Sequence, residues 1–285
     1  MRFFNFIKFL SAIDMLRYLL LKPFHQFVLR GKKYSELLTL HNQLSIIEVQ
    51  QNKKVINSGN EILINNNNIF HLRKNTSDVA VYHQIYYLME YRTVVDFIVN
   101  QLKLKIDHII DVGANIGCAT CYFLEHFPTA NVISIEPDQG NFSMLVKNTN
   151  WSNRVLTINA AVWDRPINLR KAVNFRDGRE WSSSYEVDHN QITENAIKVL
   201  TLNELVANTG SAGFLLLKID VEGSEKHLFT EHSDLSYLQN VHFLALEIHD
   251  EVSDRQLIET LIRENGFIIF DYNETSFAVR KTLFI

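Results

Sequence analysis

The chain reads as an α/β fold, and three observations carry that reading. From residue 108 onward, short apolar runs rich in Val, Ile and Leu alternate with segments of helical periodicity, the signature of βαβ units and a parallel sheet. Two of the apolar runs, FLLLKID and VHFLALEIH, end in clustered polar residues, as strands do where their carboxyl ends line the ligand edge of an open sheet. The chain then closes on FIIFDY and FAVRKTLFI, joined by the turn NET. So short a turn joins only antiparallel neighbours, so one reversed strand is expected at the end of an otherwise parallel sheet.

Composition supports this class and excludes others. With 285 residues, 46% of them hydrophobic and 21% charged, the chain buries a large core and fits one sizeable domain with extensions; disordered and fibrous classes are excluded. The net charge of -4 is spread along the chain and exerts no pull toward nucleic acid. The first 33 residues are a local exception, with seven Lys and Arg against Asp14 alone. Cys118 and Cys121 are too few for a disulfide framework and read as a buried pair of small residues in the first turns of a helix. Lys8, Asp14, Arg17 and Lys22 interrupt the apolar N-terminus, so no stretch of roughly 18 uncharged apolar residues is present and a cytoplasmic protein is expected.

In chain order, Phe6, Leu10, Ile13, Leu16 and Leu20 recur at helical spacing with basic residues between them, until Pro23 breaks the pattern. Two readings stand: a helix lying on an anionic membrane surface, giving a peripheral membrane contact, or one packed on the domain or on a second subunit. Residues 55–75 are Asn-rich with short apolar runs and suggest strands and turns, so residues 1–69 are expected to form an extension before a main domain of residues 70–285. From Ser77 a helix is expected, with Ser77 or Asp78 as N-cap and Val79, Tyr82, Ile85, Tyr86 and Met89 on one side. The alternating part then runs HIIDV, a helix over 116–127, NVISIE, a helix over 138–148, and VLTINAAV as a third strand over 155–162. Residues 163–195, with DRP, RDGREWSSS and DHN, are too polar for core and too long for an ordinary connection, and read either as a lid or substrate loop or as a passive excursion. Thr201 and Glu204 form a capping box; a helix around 223–232 separates the two polar-ended strands; Ser253 and Gln256 repeat the box spacing and open a helix that stops near Gly266.

The chemistry concentrates at the strand ends. DVGANIG places Gly113 and Gly117 between a strand and a helix, where the backbone can approach a ligand and the helix offers free N–H groups. The loop lacks the G-x-G-x-x-G spacing of dinucleotide binding, which disfavours a nicotinamide dehydrogenase. Glu136 ends the second strand, where a carboxylate accepts both hydroxyls of a ribose; with Asp111 it specifies a nucleoside site. In an extended strand Lys218, Asp220 and Glu222 share one side, as do Glu247 and His249 next door, so five polar groups gather at one edge.

FHLRKNTSDVAVYHQIYYLMEY, DVGANIG, IEPDQGNF, AVWD, LLKIDVEGSE and LEIH, in that order, closely resemble the FkbM-type S-adenosylmethionine-dependent methyltransferases over roughly three quarters of the chain. The resemblance implies a class I methyltransferase Rossmann-like fold, a seven-stranded sheet in the order 3-2-1-4-5-7-6 with strand 7 antiparallel. It implies S-adenosyl-L-methionine as cofactor and O-methylation of a hydroxyl on a saccharide, glycolipid or related small molecule. It assigns Asp111, Gly113, Asn115 and Gly117 to the loop around the methionine part of the cofactor and Glu136 to the ribose. Asn141 supports the same pocket, Ala161 and Val162 meet adenine, and Tyr91 closes over the methionine tail. Methyl transfer by in-line attack needs the acceptor oxygen held near the methyl group and relieved of its proton. Asp220 or His249 is the expected general base, with Lys218 and Glu222 orienting the acceptor or one another. A divalent metal on Asp220, Glu222 and Glu247 or His249 is a second chemical reading, not favoured here. A cofactor-binding module without catalysis is a third. N-x-S/T triplets at Asn75, Asn141, Asn150 and Asn273 are discounted because Asn141 falls inside the pocket.

Overall fold

The computed structural model describes residues 15, 32–65, 68–171, 185–188, 197–210, 212–272 and 274–284. Apart from Met15, the amphipathic segment from Phe6 to Leu20 lies outside them, as do most of the tract 163–195 and Asn273 of the closing turn. The chain divides into two compact units, Met1–Met89 and Glu90–Ile285, so the division falls beyond the expected boundary after residue 69.

In the first unit, α1 (Lys32–Ser45) precedes a three-stranded antiparallel sheet, β1 (Lys54–Ser58), β2 (Glu61–Asn65) and β3 (Ile69–Arg73), and α2 (Asp78–Tyr86) follows. The strands bury alternate residues, Ile62 and Ile64 on β2 and Phe70 and Leu72 on β3, because the pleat sends every second side chain inward. Helix α2 buries Val79, Tyr82 and Ile85 as its periodicity requires. Asp78 does not cap it: Ser77 occupies the N-cap position, and the Asp78 carboxylate accepts from the Arg73 guanidinium at 2.8 and 2.9 Å and from its backbone N–H at 2.8 Å. The helix stops at Tyr86, so Met89, at φ +56, is exposed rather than on the buried face.

The second unit opens with α3 (Arg92–Asp96) and is built on a seven-stranded sheet. Its strands are β4 (His108–Val112), β5 (Asn131–Ile135), β6 (Val155–Ile158), β11 (Leu215–Ile219), β12 (Phe243–Glu247), β13 (Phe267–Tyr272) and β14 (Thr275–Arg280). They lie in the order β13-β14-β12-β11-β4-β5-β6, with β14 antiparallel to both neighbours and the other pairs parallel. Numbered among themselves, these are the strands 3-2-1-4-5-7-6 read from the other edge, so the expected order holds. All five residues of β11, LLLKI, are buried, as in a central strand of a parallel sheet covered on both faces. Between β11 and β4 the register sets Lys218 opposite Asp111.

Helix α4 (Cys118–His126) follows β4 and buries Cys118 and Cys121, both free thiols. Helix α5 (Gln139–Thr149) follows β5, its N-terminus capped by Asp138, whose carboxylate accepts from the N–H groups of Gly140 and Asn141. VLTINAAV does not form one strand: β6 ends at Ile158, and Ala161 and Val162 form β7 (Ala161–Val162), which leaves the main sheet and pairs in parallel with β10 (Val199–Leu200). Asn159 marks the break, its side-chain amide donating to the carbonyls of Glu136 and Pro137 at 2.8 and 3.1 Å. Between them, β8 (Leu169–Lys171) and β9 (Tyr185–Val187) form an antiparallel pair. The capping box of Thr201 and Glu204 is present on α6 (Leu202–Ala207). Helix α7 (Glu225–Leu228) is a single turn, shorter than the span expected over 223–232. On α8 (Arg255–Glu264) the cap is Asp254, accepting from the N–H of Leu257 at 3.1 Å, and not Ser253, whose hydroxyl lies 3.4 Å from Glu225. Among the described residues, no helix is long and apolar enough to cross a membrane.

Candidate active site

The carboxyl ends of β4 and β5 carry the first half of the site. After Val112 the chain turns through Gly113 at φ +75, Asn115 at φ +51 and Gly117 at φ +89 before α4 begins. The room the two glycines leave is taken by the protein itself. A Cβ at Gly113 would stand 1.7 Å from the carbonyl oxygen of Asp220, and one at Gly117 would meet the Leu145 side chain at 3.0 Å. Both positive dihedrals also disfavour a side chain. Asp111 is fully enclosed: Oδ2 accepts from the Thr120 hydroxyl at 2.6 Å and Oδ1 lies 3.1 Å from Lys218 Nζ. Its contacts are thus with Thr120 and Lys218, both within the protein.

Glu136 is 5% exposed and receives two backbone N–H groups, Asn115 on Oε2 and Asp138 on Oε1, each at 2.9 Å. Burial pushes its carboxyl up to about 7, against the pull of those two bonds. Each oxygen keeps further acceptor capacity, the arrangement two neighbouring hydroxyls of a ribose require. Asn115 closes the turn with its own side chain, accepting from the Ile116 N–H at 2.7 Å. Asn141 is buried in the first turn of α5. Ala161 and Val162 are buried, and the Ala161 N–H donates to the Lys198 carbonyl at 2.8 Å, so that amide is engaged within the protein. Tyr91 is 2% exposed, its ring packed 5.1 Å from that of Phe123. Burial, with Glu90, raises its hydroxyl far above the ordinary value.

The second half lies at the ends of β11 and β12. Lys218 is buried and donates to the Gly113 and Val112 carbonyls at 2.8 and 3.3 Å, with Asp111 and Asp220 at 3.1 and 3.6 Å. Burial works against its charge, but Asp111 and Asp220 outweigh it and hold the ammonium above its ordinary value. Lys218 thus ties the glycine loop to β11, and its contacts are with the protein. The strand stops at Ile219 and Glu222 adopts φ +49, so the period-two rule does not place Glu222; the turn does, bringing Oε2 to 3.5 Å from His249 Nε2. Glu247 Oε1 lies 3.4 Å from the same nitrogen.

Two residues that sequence reasoning left without a role complete this half. Glu225, fully buried at the start of α7, holds His249 Nδ1 at 2.9 Å. Burial opposes charge on the imidazole, but Glu225 overcomes it and raises the His249 pKa. Glu90 is buried, accepts from the Thr275 hydroxyl at 3.1 Å, and is pushed up to about 7 by burial and then by Asp220. Glu247 is pushed up further, by burial and then by Asp220, Glu90 and Glu222. Glu225 stands in LLKIDVEGSE; a carboxylate in the first turn after a glycine is the available signal. Glu90 carries none, since only the tertiary fold brings it to this edge. The arrangement can accept a proton: the Asp220 side chain is 26% exposed where that of His249 is 1%, so Asp220 is the group open to an acceptor.

A parallel sheet with a reversed penultimate strand, a glycine turn after its first strand and acids along its carboxyl edge together define a class I methyltransferase. Residues 111–269, more than half of the chain, match the family model for the methyltransferase FkbM domain, and the chain belongs to that family. It is similar, at 25% identity over 201 residues, to the 2-O-methyltransferase NoeI of Sinorhizobium fredii, covering 66% of this chain and 75% of that one. Among solved structures it is similar to the FkbM methyltransferase of Methylobacillus flagellatus KT, with a TM-score of 0.40 and 17% identity. That match covers 61% of this chain and 43% of that chain, so this chain spans less than half of it. A caffeoyl-CoA O-methyltransferase homologue from Staphylococcus aureus matches with a TM-score of 0.38 and 10% identity, over 93% of this chain and 99% of the other.

Proposed function

We propose that the protein transfers the methyl group of S-adenosyl-L-methionine to a hydroxyl of a saccharide, glycolipid or related small molecule. The observation that carries the reading is the division of labour among carboxylates on one sheet edge. Glu136, enclosed and braced by two backbone N–H groups, suits a ribose, while Asp220, partly open and resting against the glycine loop through its backbone, suits a proton acceptor. In the step proposed, the acceptor oxygen attacks the methyl carbon in line, the C–S bond breaks with its electrons passing to sulfur, and the hydroxyl proton goes to Asp220. Lys218 keeps the loop and Asp220 in register during the transfer. A saccharide acceptor is supported by the likeness to NoeI, whose name describes a 2-O-methyltransferase.

The test is calorimetry of S-adenosylhomocysteine on the wild type and Glu136→Ala, followed by methyl transfer from labelled cofactor to a panel of sugars and glycolipids. Micromolar binding lost in Glu136→Ala, with product on a panel member, is expected. Asp220→Asn is expected to lower turnover by roughly 100-fold or more while leaving S-adenosylhomocysteine affinity within about threefold. Binding without product on any acceptor would instead describe a cofactor-binding module.

A further inference from the structure

We infer that Asp220, Glu222 and His249 form a site for one divalent cation, which holds the acceptor hydroxyl at the carboxyl edge of the sheet. One ligand atom from each residue lies within 4.8 Å of the others. Acids at a strand edge are ordinary on their own; the imidazole makes this cluster different. His249 is 2% exposed, and its Nε2 has no hydrogen-bond partner although it is enclosed and faces Glu222 and Glu247 at 3.5 and 3.4 Å. Its other nitrogen is spent on Glu225 at 2.9 Å. A buried carboxylate on one ring nitrogen is the arrangement that orients a metal-bound histidine, since it accepts the hydrogen bond of Nδ1–H and leaves the Nε2 lone pair aimed outward. Asp220 Oδ1 is likewise buried without a donor.

Charge points the same way. Glu222 and Glu247 both face His249 Nε2, at 3.5 and 3.4 Å, and Lys218, the ammonium beside Asp220, sits closer to Asp111 than to Asp220. Carboxylates gathered in a partly dry site are relieved by a divalent cation as well as by protonation. Two carboxylates with one imidazole suit a cation of the Mn²⁺ kind better than Ca²⁺, and three protein ligands leave coordination positions open.

The inference rests on the proposed O-methylation for its role and not for its binding. The cation would take the acceptor oxygen into an open position and lower its pKa; Asp220, coordinated through one oxygen, receives the proton on the other. The oxygen lone pair then forms the O–CH₃ bond as the C–S bond breaks, leaving the neutral thioether, and Asp220 returns its proton to solvent.

The test uses chelator-treated full-length protein titrated with MnCl₂, reading the paramagnetic resonance signal of free Mn²⁺, with S-adenosylhomocysteine calorimetry on the same samples. The expected result is one Mn²⁺ per chain with a micromolar Kd, weakened roughly tenfold or more in Asp220→Asn and in Glu222→Gln, with S-adenosylhomocysteine affinity retained in both. A free-Mn²⁺ signal undiminished by folded wild-type protein would overturn the inference, as would two variants that bind Mn²⁺ like the wild type. S-adenosylhomocysteine binding without Mn²⁺ binding ends the cation site and leaves the methyltransferase reading standing; Mn²⁺ binding without S-adenosylhomocysteine binding does the reverse.

Discussion

The two halves of the carboxyl edge are built on opposite plans. At the ends of β4 and β5 the protein answers most of its own polar groups: Glu136 holds two backbone N–H groups, Asn115 closes its own turn, and Asp111 accepts from Thr120 on Oδ2, while its Oδ1, buried without a hydrogen bond, is charge-paired with Lys218 at 3.1 Å. At the ends of β11 and β12 carboxylates crowd one another, and Asp220 Oδ1 and His249 Nε2 are buried without a hydrogen bond. Satisfied buried groups make a rigid cradle, whereas crowded ones are a standing cost that a protein carries where chemistry uses it. Substitutions in the first half should therefore weaken the fold or the cofactor site, and some in the second should strengthen the fold.

The largest effect is expected where the halves are tied together. Lys218→Met leaves Asp111 as a buried charge without its cation and should cost about 3–5 kcal/mol in denaturant unfolding; adding Asp111→Asn should recover part of that loss in a double-mutant cycle. If the double variant is as unstable as the sum of the singles, the two residues do not act as a pair. Gly113→Ala comes next. Its Cβ cannot coexist with the Asp220 carbonyl at 1.7 Å, so the loop must shift, at roughly 3 kcal/mol of stability and with loss of S-adenosylhomocysteine binding by calorimetry.

Glu136 sharpens the comparison through pH. With its carboxyl at about 7, it is protonated below that value and accepts fully above it, so S-adenosylhomocysteine affinity should rise about tenfold from roughly pH 6 to roughly pH 8 and should be flat in Glu136→Gln. A wild-type profile without slope would remove the carboxylate from ribose binding. The smallest effect has the opposite sign. Glu90 titrates at about 7 in the folded chain, above its value of 4.5 when unfolded, so the native state holds a proton that the unfolded state releases between those values. Stability is lost as pH rises through that window, and Glu90→Gln should restore about 1–2 kcal/mol at roughly pH 8 while changing little at roughly pH 4.

What the sequence disclosed follows from the range of the signals. The reversed strand and the position of DVGANIG rest on local patterns and a short turn, the strand order on the family resemblance, and all three stand in the structure. Local patterns also misled at close quarters. VLTINAAV reads as one strand because nothing in its alternation shows Asn159 bonding back to Glu136 and Pro137, and S-x-x-Q outcompeted the Asp254 beside it. Contacts between distant segments were out of reach. The pairing of Glu225 with His249 spans 24 positions, and the glycine of DVGANIG proves to be shaped by Asp220, over a hundred residues on. The residues of the site were legible as a list, their partners only from the fold.

The pairing of β11 with β4 sets Lys218 directly against Asp111 in the middle of a sheet where the flanking residues are aliphatic. Slipping the strands by two residues would preserve which side chains face which way, so hydrophobic patterning alone discriminates poorly against it. It would also strand an ammonium opposite Ile109 and a carboxylate without its mate, each buried. The ion pair therefore disfavours that misalignment, and the lysine that forms it also donates to the carbonyls of Val112 and Gly113, so one side chain serves both the strand register and the loop that follows it.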